Sequence, residues 1–341
     1  MADAGRVLPS LQGGPGDDPS LRILDRSGYA LSLSATFAPR KAMAHKAGYV
    51  NIIGEPNTGK STLLNALLGE GLVIVNPKAQ TTRHRILGIL NGDDHQLVIS
   101  DTPGILDPKY KLHESMMREV DAALKDADII LVMTELGQKP ENSEAVLSRA
   151  RRFEGPIILL VNKMDKGDQA TLGEALAAWK AALPSAEVAP LSALHGFNVD
   201  ELRKKLISLL PEHEPYFPKD EMSDRDTRFF VSEFIREQVL AHYRQELPYS
   251  TQVVVTSFVE EPDLHEGKAG MVSIEADVIV MRESQKGIII GPGGSALRTL
   301  GTGSRKAIEK WLGRKVFLRF HVKVDPDWRS DDSKLKRYGY R

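Results

Sequence analysis

The 341-residue chain contains no cysteine. That excludes disulfides and thiolate metal sites, and it suits a reducing cytoplasm. No window offers the roughly 18 uncharged apolar residues that a membrane-spanning helix needs. Net charge is nearly absent too, at −1, but it is spread unevenly. Residues 282–341 carry 15 Lys/Arg against 6 Asp/Glu, so the rest of the chain is net acidic. Such asymmetry points to a polyanion-binding end. What remains, 41% hydrophobic and 27% charged, is an ordinary globular composition with length for about two domains.

The first 42 residues differ from everything after them. GGPGDDPS is linker-like, and SGYALSLSATFAPRK has no clear period. The charge is too mixed for a transit peptide, and no secretory core precedes a small-residue cleavage site. Residues 1–42 are expected to be disordered or artefactual, with Met43 as the real start.

From Tyr49 onward, short apolar runs alternate with amphipathic stretches. YVNIIG, QLVISD, IILVM, IILLVNK and VAPLSA read as buried strands. KSTLLNALL, HESMMREVDAALKDA, SEAVLSRARRF, TLGEALAAWKAAL and VDELRKKLISLL read as helices. This alternation predicts an α/β domain, a mostly parallel sheet with helices on both faces. Ligands in such folds sit at the carboxyl ends of the strands, and the chain's motifs fall there.

Gly54-Glu-Pro-Asn-Thr-Gly59-Lys60-Ser61 matches GxxxxGK[ST] between a strand and a helix. Glycine lets backbone N–H groups converge on phosphate oxygens; Lys60 would reach the β and γ phosphates, and Ser61 would ligate Mg²⁺. Asp101-Thr102-Pro-Gly104 ends the next strand, about 40 residues later. Asp101 can hold Mg²⁺ through water and the Gly104 N–H can sense the γ-phosphate. Asn162-Lys163-Met-Asp165 offers a carboxylate to the N1–H and N2–H₂ edge of guanine, which adenine lacks. Ser192-Ala193-Leu194 follows a later strand, where a backbone N–H can meet the guanine oxygen. Together these motifs predict a GTPase. Between the first two lies Gln80-Thr81-Thr82-Arg83-His84, the candidate switch loop, with Thr82 favoured over Thr81 to complete the Mg²⁺ shell.

Residues 287–300, GIIIGPGGSALRTL, hold a second glycine cluster, wedged between an apolar run that looks strand-like and a stretch of helical composition. Around it, RFFVSEFIREQVLAHY is amphipathic, STQVVVTSF and MVSIEADVIVM alternate, LRTLGTGSRKAIEKWL is helical and basic, and KVFLRFHVKV is a last strand. This helix–strand–strand–helix–helix–strand order fits an α+β type II KH domain, in which a GXXG turn clamps single-stranded backbone. Gly291-Pro292-Gly293-Gly294 has no following Lys-Ser, so an RNA backbone clamp is expected here and a second nucleotide site is not. PEHEPYFPKDEM, with its prolines, reads as a linker. The expected layout is a P-loop GTPase domain over 43–210, a linker over 211–222, the KH domain over 223–330 and a tail over 331–341.

GEPNTGKSTLLNALLG, KAQTTRHRILGI, SDTPGI, NKMD, ELPYS, QKGIIIGPGGSALRTLGTGSRKAIEKWLG, KVFLRFHVKV and the closing DWRSDD…RYGY resemble the Era family of bacterial ribosome-assembly GTPases from about Met43 to the end. The resemblance implies a Ras-like G domain and a type II KH domain, with GTP/GDP and Mg²⁺ as ligands. It implies binding to the 3′ end of small-subunit ribosomal RNA during 30S maturation, in a monomeric, cytoplasmic protein that can contact the membrane peripherally. A membrane-associated growth-control switch that docks through its KH domain is the alternative. The nucleotide contacts carried over are Gly54, Asn57, Thr58, Gly59, Lys60, Ser61, Thr62, Asp101, Thr102, Gly104, Asn162, Lys163, Asp165, Ser192, Ala193 and Leu194. Lys60, Thr82, Asp101 and Gly104 would serve hydrolysis, with Ser61, Thr82 and Asp101 on Mg²⁺.

Four positions bear on that carry-over. Thr58 stands where the family usually has Val. Ile105 follows DTPG where Ras-like switches carry a water-orienting Gln, which implies slow intrinsic turnover. Pro292 brings no charge and no N–H into GXXG, where the family often has a basic residue. RNA contact is therefore expected to lean on Arg298, Arg305, Lys306 and Lys310 beside the Gly291–Gly294 turn. Asn57 matches the asparagine with which some relatives place K⁺ near the β–γ bridge.

Overall fold

A computed structural model describes residues 45–78, 80–262 and 270–340. The expected extension, residues 1–42, and the start at Met43 lie outside the described residues. The first sheet contains β1 (Lys46–Gly54), β2 (Ile86–Asn91), β3 (His95–Asp101), β4 (Ile129–Glu135), β5 (Ile157–Asn162) and β6 (Glu187–Pro190), in the order β2-β3-β1-β4-β5-β6. All neighbours are parallel except β2, which runs antiparallel along the outer side of β3. Helices α1 (Lys60–Leu68), α2 (Lys111–Lys125), α3 (Glu144–Ala150), α4 (Gln169–Ala182) and α5 (Val199–Leu209) cover its two faces.

Side-chain alternation assigns the faces. Ile129, Leu131 and Met133 of β4 pack in one cluster with Leu63, Leu64 and Leu67 of α1 and with Leu202 and Leu206 of α5. Ile130 and Val132 point the other way, into a cluster with Met116 of α2, Val146 of α3 and Trp179 of α4. A strand buried on both faces must read as a continuous apolar run, and IILVM does.

The second domain is α6 (Thr227–His242), β7 (Gln252–Glu260), β8 (Val272–Val280), α7 (Glu283–Ile290), α8 (Ser295–Leu312), β9 (Val316–Val324) and α9 (Asp332–Arg337). Its sheet runs β7-β8-β9, with β7 antiparallel and β9 parallel to β8. Val231, Ile235 and Val239 of α6 and Leu300 and Ile308 of α8 pack on Ile274, Ala276 and Val278 of β8. The two helices approach closely: a Cβ on Gly303 would lie 2.5 Å from the Gln238 side chain.

Two expectations need correction. The apolar run 287–290 is not strand-like in structure; it closes helix α7. Gln285 Oε1 accepts the N–H groups of Met281 and Arg282 at 2.9 and 3.2 Å, capping the helix start. Ile289 alone faces the core, while Ile288 is exposed, so the helical period overrides a β-branched composition. Of the expected tail over 331–341, the described residues 331–340 are also more than a tail. Leu335 and Tyr340 are buried in the same cluster as α2 of the first domain, together with Trp328. Tyr340 stacks on His84 at 4.3 Å. Burial there pushes the His84 imidazole down to about 3, so it stays neutral. The stretch 211–222 is strapped to the sheet: the Gln96 side chain bonds the N–H of Tyr216 and Phe217 and the carbonyl of Phe217. Among the described residues no helix is long and apolar enough to cross a membrane.

Candidate functional site

The loop between β1 and α1 is closely packed. A Cβ on Gly54 would lie 2.2 Å from the Met133 carbonyl oxygen, and one on Gly59 (φ 102°) would lie 2.3 Å from Asn162 Nδ2. Only glycine leaves room for the backbone there. Lys60 is buried, and its Nζ donates to the carbonyls of Gly54 and Glu55 at 3.2 and 2.7 Å. Burial lowers its pKa to about 8, against the opposing pull of Asp101 and Glu55.

Three oxygens meet at the end of this loop. Ser61 Oγ donates to Asp101 Oδ2 at 2.7 Å, Thr82 Oγ1 donates to the same oxygen at 3.0 Å, and the two hydroxyls lie 3.0 Å apart. Neighbouring oxygens in an octahedral magnesium shell are about 2.9 Å apart. The buried Asp101 Oδ1 has no hydrogen-bond partner, which leaves a carboxylate oxygen free to face a cation or its water. The set fits Mg²⁺. Among the described residues no group of three or more His/Cys/Asp/Glu forms a metal cage. That agrees with a hard cation held by one carboxylate, hydroxyls and phosphate. Thr82, not Thr81, is the residue at this point; Thr81 Oγ1 bonds the Asn76 and Lys78 carbonyls.

A cavity of about 540 Å³ runs from here to the NKMD segment, a size suited to a nucleotide. It is lined by Asn57, Gly59, Lys60, Ser61, Thr62, Thr82, Gly104, Asn162, Lys163, Asp165, Ser192 and Leu194. The remaining candidates stand behind the wall. Gly54 and Asp101 do not line it, and the Thr58 hydroxyl turns to the Glu55 carbonyl at 3.0 Å. Thr102 donates to the Ile52 carbonyl at 2.6 Å, so its side chain holds the DTPG loop to β1 and does not face the cavity. Gly104 rests on the phosphate loop, where a Cβ would meet Pro56 backbone at 2.7 Å.

At the far end, Asn162 ties three motifs together. Its Nδ2 donates to the Thr58 carbonyl at 2.8 Å and its Oδ1 accepts the Ala193 N–H at 3.0 Å. Ser192 Oγ donates to Asp165 Oδ1 at 2.6 Å; that bond holds the Asp165 carboxyl below its usual range, so it is ionised and acts only as an acceptor. Lys163 Nζ donates to the Asn57 carbonyl at 2.8 Å and pairs with Glu135. Glu135 was missed by sequence reasoning. Its signal was its place at the carboxyl end of β4, opposite Asn162 in the sheet register.

A second groove, of about 460 Å³, lies between α8 and β9. Arg298, Gly301, Thr302 and Arg305 form one helical stripe along it, with Gly294 at its mouth. Lys306 and Lys310 do not line it; one residue beyond Arg305 is a further 100° around the helix. Gly291, Pro292 and Gly293 stand just outside. Gly293 (φ 57°) and Gly294 (φ 77°) have no atom within 4 Å of a built Cβ, so the turn is open to a ligand. The opposite wall is Phe317, Leu318, Arg319 and Phe320 of β9, none of them singled out from sequence. Phe317 is half-exposed with the Arg319 guanidinium over its ring at 5.6 Å. Aromatic faces beside cations suit unstacked bases.

Residues 49–163 match the family model described as 50S ribosome-binding GTPase, and residues 246–329 match the KH domain model. The chain is 43% identical to GTPase Era of Geotalea uraniireducens, over 86% of this chain and 98% of that one. It is 38% identical to the chloroplastic GTPase ERA1 of Zea mays, over 94% and 78% respectively. Among solved structures, Era in complex with MgGDPNP and nucleotides 1506–1542 of 16S ribosomal RNA superposes with a TM-score of 0.79 at 37% identity, over 87% of this chain and 99% of that one. A variant of Aquifex aeolicus Era bound to GDP and aluminium fluoride also gives 0.79, at 38% identity over 86% and 99%. The chain belongs to the Era family of GTPases.

Proposed function

We propose that this GTPase binds the 3′ end region of small-subunit ribosomal RNA and assists maturation of the 30S subunit, with its nucleotide state coupled to its hold on RNA. One observation carries the coupling: the loop bearing Thr82 touches both the Ser61–Asp101 pair and the KH domain, through Arg83 and Arg236. The RNA assignment is supported by the aromatic, basic groove and by the relative that holds 16S RNA. The proposed setting is the cytoplasm, as a monomer, with any membrane contact peripheral.

The chain's own groups divide the work. Asp165 and Asn162 select and seat the base, while Lys60 and the loop backbone hold the β and γ phosphates. Ser61, Thr82 and Asp101 would hold Mg²⁺, which supplies charge stabilisation on the transferring phosphoryl group. Ile105 is buried and offers no group to orient water, so turnover without help is slow. Asn57 lines the cavity and is proposed to place K⁺ in the role of an arginine finger.

The test is affinity purification from cells with a non-hydrolysable GTP analogue or with GDP, followed by sequencing of bound RNA. Enrichment of the small-subunit 3′ end with the analogue is expected. Equal recovery with GDP would remove the coupling, and membrane capture surviving RNase would favour the docking switch. Hydrolysis by the same protein should be faster in potassium than in sodium; equal rates would remove Asn57 from that role.

A further inference from the structure

The switch loop is gripped from the KH domain on both sides of Thr82. Ahead of it, Arg236 of α6 donates through Nη1 to the Gln80 carbonyl at 3.2 Å and through Nη2 to the Thr81 carbonyl. Behind it, Arg83 reaches the other way and donates to the carbonyls of Thr251 at 2.8 Å and Pro248 at 3.0 Å. Both guanidinium groups are about 1% exposed. Glu233, one turn before Arg236 on α6, holds the latter through Nε at 2.8 Å and through Nη2.

Burying two guanidinium groups is an expensive way to join two domains, since apolar contact of similar area would do so without the desolvation cost. What a planar fork adds is geometry: it fixes two acceptors at once, and a carboxylate behind it fixes the fork. The acceptors here are the two carbonyls immediately before Thr82, whose hydroxyl stands 3.0 Å from both Ser61 Oγ and Asp101 Oδ2.

We propose that Arg236, braced by Glu233, is a positioning residue for GTP hydrolysis: it holds the Gln80 and Thr81 carbonyls so that the Thr82 hydroxyl stands at the magnesium site. The inference rests on reading Thr82 as the threonine that completes the magnesium shell. It makes the first KH helix part of the hydrolytic apparatus. GDP, with no γ-phosphate to order the switch, has no need of the arrangement.

The test is a mutant cycle on the full chain. Arg236→Gln with Glu233→Gln removes both charges together and leaves no lone buried ion; Arg236→Lys keeps the charge but loses the fork. Single-turnover GTP hydrolysis is measured against magnesium concentration, with GDP affinity measured alongside. In the doubly substituted protein the rate should fall about tenfold and half-saturating magnesium rise about tenfold, a coupling in the ordinary range for contacting groups. GDP affinity should change less than about twofold, and Arg236→Lys should recover part of the rate. Thr82→Ala should cause a similar loss, and adding it to the double substitution should cause no more. Multiplying losses would overturn the proposal, as would equal weakening of GDP and GTP. A silent double substitution beside a damaging Thr82→Ala would overturn Arg236 alone. A silent Thr82→Ala would overturn the reading of Thr82, and the proposal with it.

Discussion

The phosphate loop at 54–61 and the turn at 291–294 are both rich in glycine, but for opposite reasons. In the first, space is full: added Cβ atoms would meet Met133 O at 2.2 Å and Asn162 Nδ2 at 2.3 Å. In the second, only Gly291 is crowded, by Ala296 of the turn's own helix at 2.6 Å; at Gly293 and Gly294 space is empty, and glycine answers only to the left-handed backbone. The first loop carries its own cation, Lys60, and a magnesium set. The second carries no charge; its cations, Arg298 and Arg305, stand along the following helix. Glycine announces that backbone comes close to something. The surrounding atoms decide whether that something is protein wall and phosphate, or a strand arriving from outside.

Exchanging the side-chain load between the turns should give the largest effects. Gly59→Ala adds a Cβ against an amide already held by Thr58 and Ala193, at a φ that alanine resists. Nucleotide affinity should fall about a hundredfold or more, with nucleotide-free RNA binding unchanged. Gly293→Asp meets no neighbour, and Asp tolerates the left-handed region, so the fold should persist with a cost of about 1 kcal/mol. RNA affinity should nevertheless fall about tenfold or more through obstruction and repulsion, while hydrolysis without RNA holds steady. Intact RNA affinity across salt would reduce the turn to a helix–helix connection. Filter binding and nucleotide titration on both variants decide the matter.

A smaller effect separates the turns by pH. Lys60 sits at about 8 because burial lowers it, with Asp101 and Glu55 pulling upward. A bound triphosphate adds opposite charge and raises it. Binding is therefore unaffected by this group below pH 8, where Lys60 already carries its proton. Above pH 8 the free protein must take up a proton to bind, so GTP affinity should fall by up to about tenfold per pH unit. The RNA turn has no lysine and should show no such break. Calorimetry in buffers of different ionisation heat at pH 9 should record proton uptake with GTP; zero uptake would show that Lys60 is protonated throughout.

Much of this was legible in the sequence, because each nucleotide motif is a short contiguous stretch at a strand end, where topology alone brings the pieces together. What stayed hidden depends on which way a side chain turns or on distant pairing. Thr102 sits inside DTPG yet faces Ile52, and no local pattern says so. Glu135 meets Lys163 only through the β4–β5 register. Arg83 and Arg236 each find their carbonyl acceptors in the other domain. Lys306 was separable from Arg305 by counting 100° per residue, a step that net charge along the helix obscures. The run 287–290 misled because β-branched residues between glycines favour a strand until capping by Gln285 and packing of Ile289 outvote them. Residues 331–340 hid two core side chains, Leu335 within a charged, six-residue helix and Tyr340 just beyond its end.

The smallest effect tests what the second turn lacks. Pro292 is exposed, begins the short turn whose Gly294 N–H bonds the Gly291 carbonyl at 3.1 Å, and contributes neither an N–H nor a charge. Pro292→Lys supplies both at the mouth of the groove. The loss of proline's stiffness should lower stability by about 0.4–1 kcal/mol. Binding to single-stranded RNA should tighten, and the slope of log K against log salt should steepen by about 0.7, the counterion release expected for one new phosphate contact. The phosphate loop lies in the other domain, so GTP affinity should not follow. A slope that stays constant while affinity rises would mean that the regained N–H, and not the charge, is what the turn was missing. If neither slope nor affinity moves, backbone phosphate does not pass over Pro292, and the RNA is held by Arg298, Arg305 and the β9 aromatics.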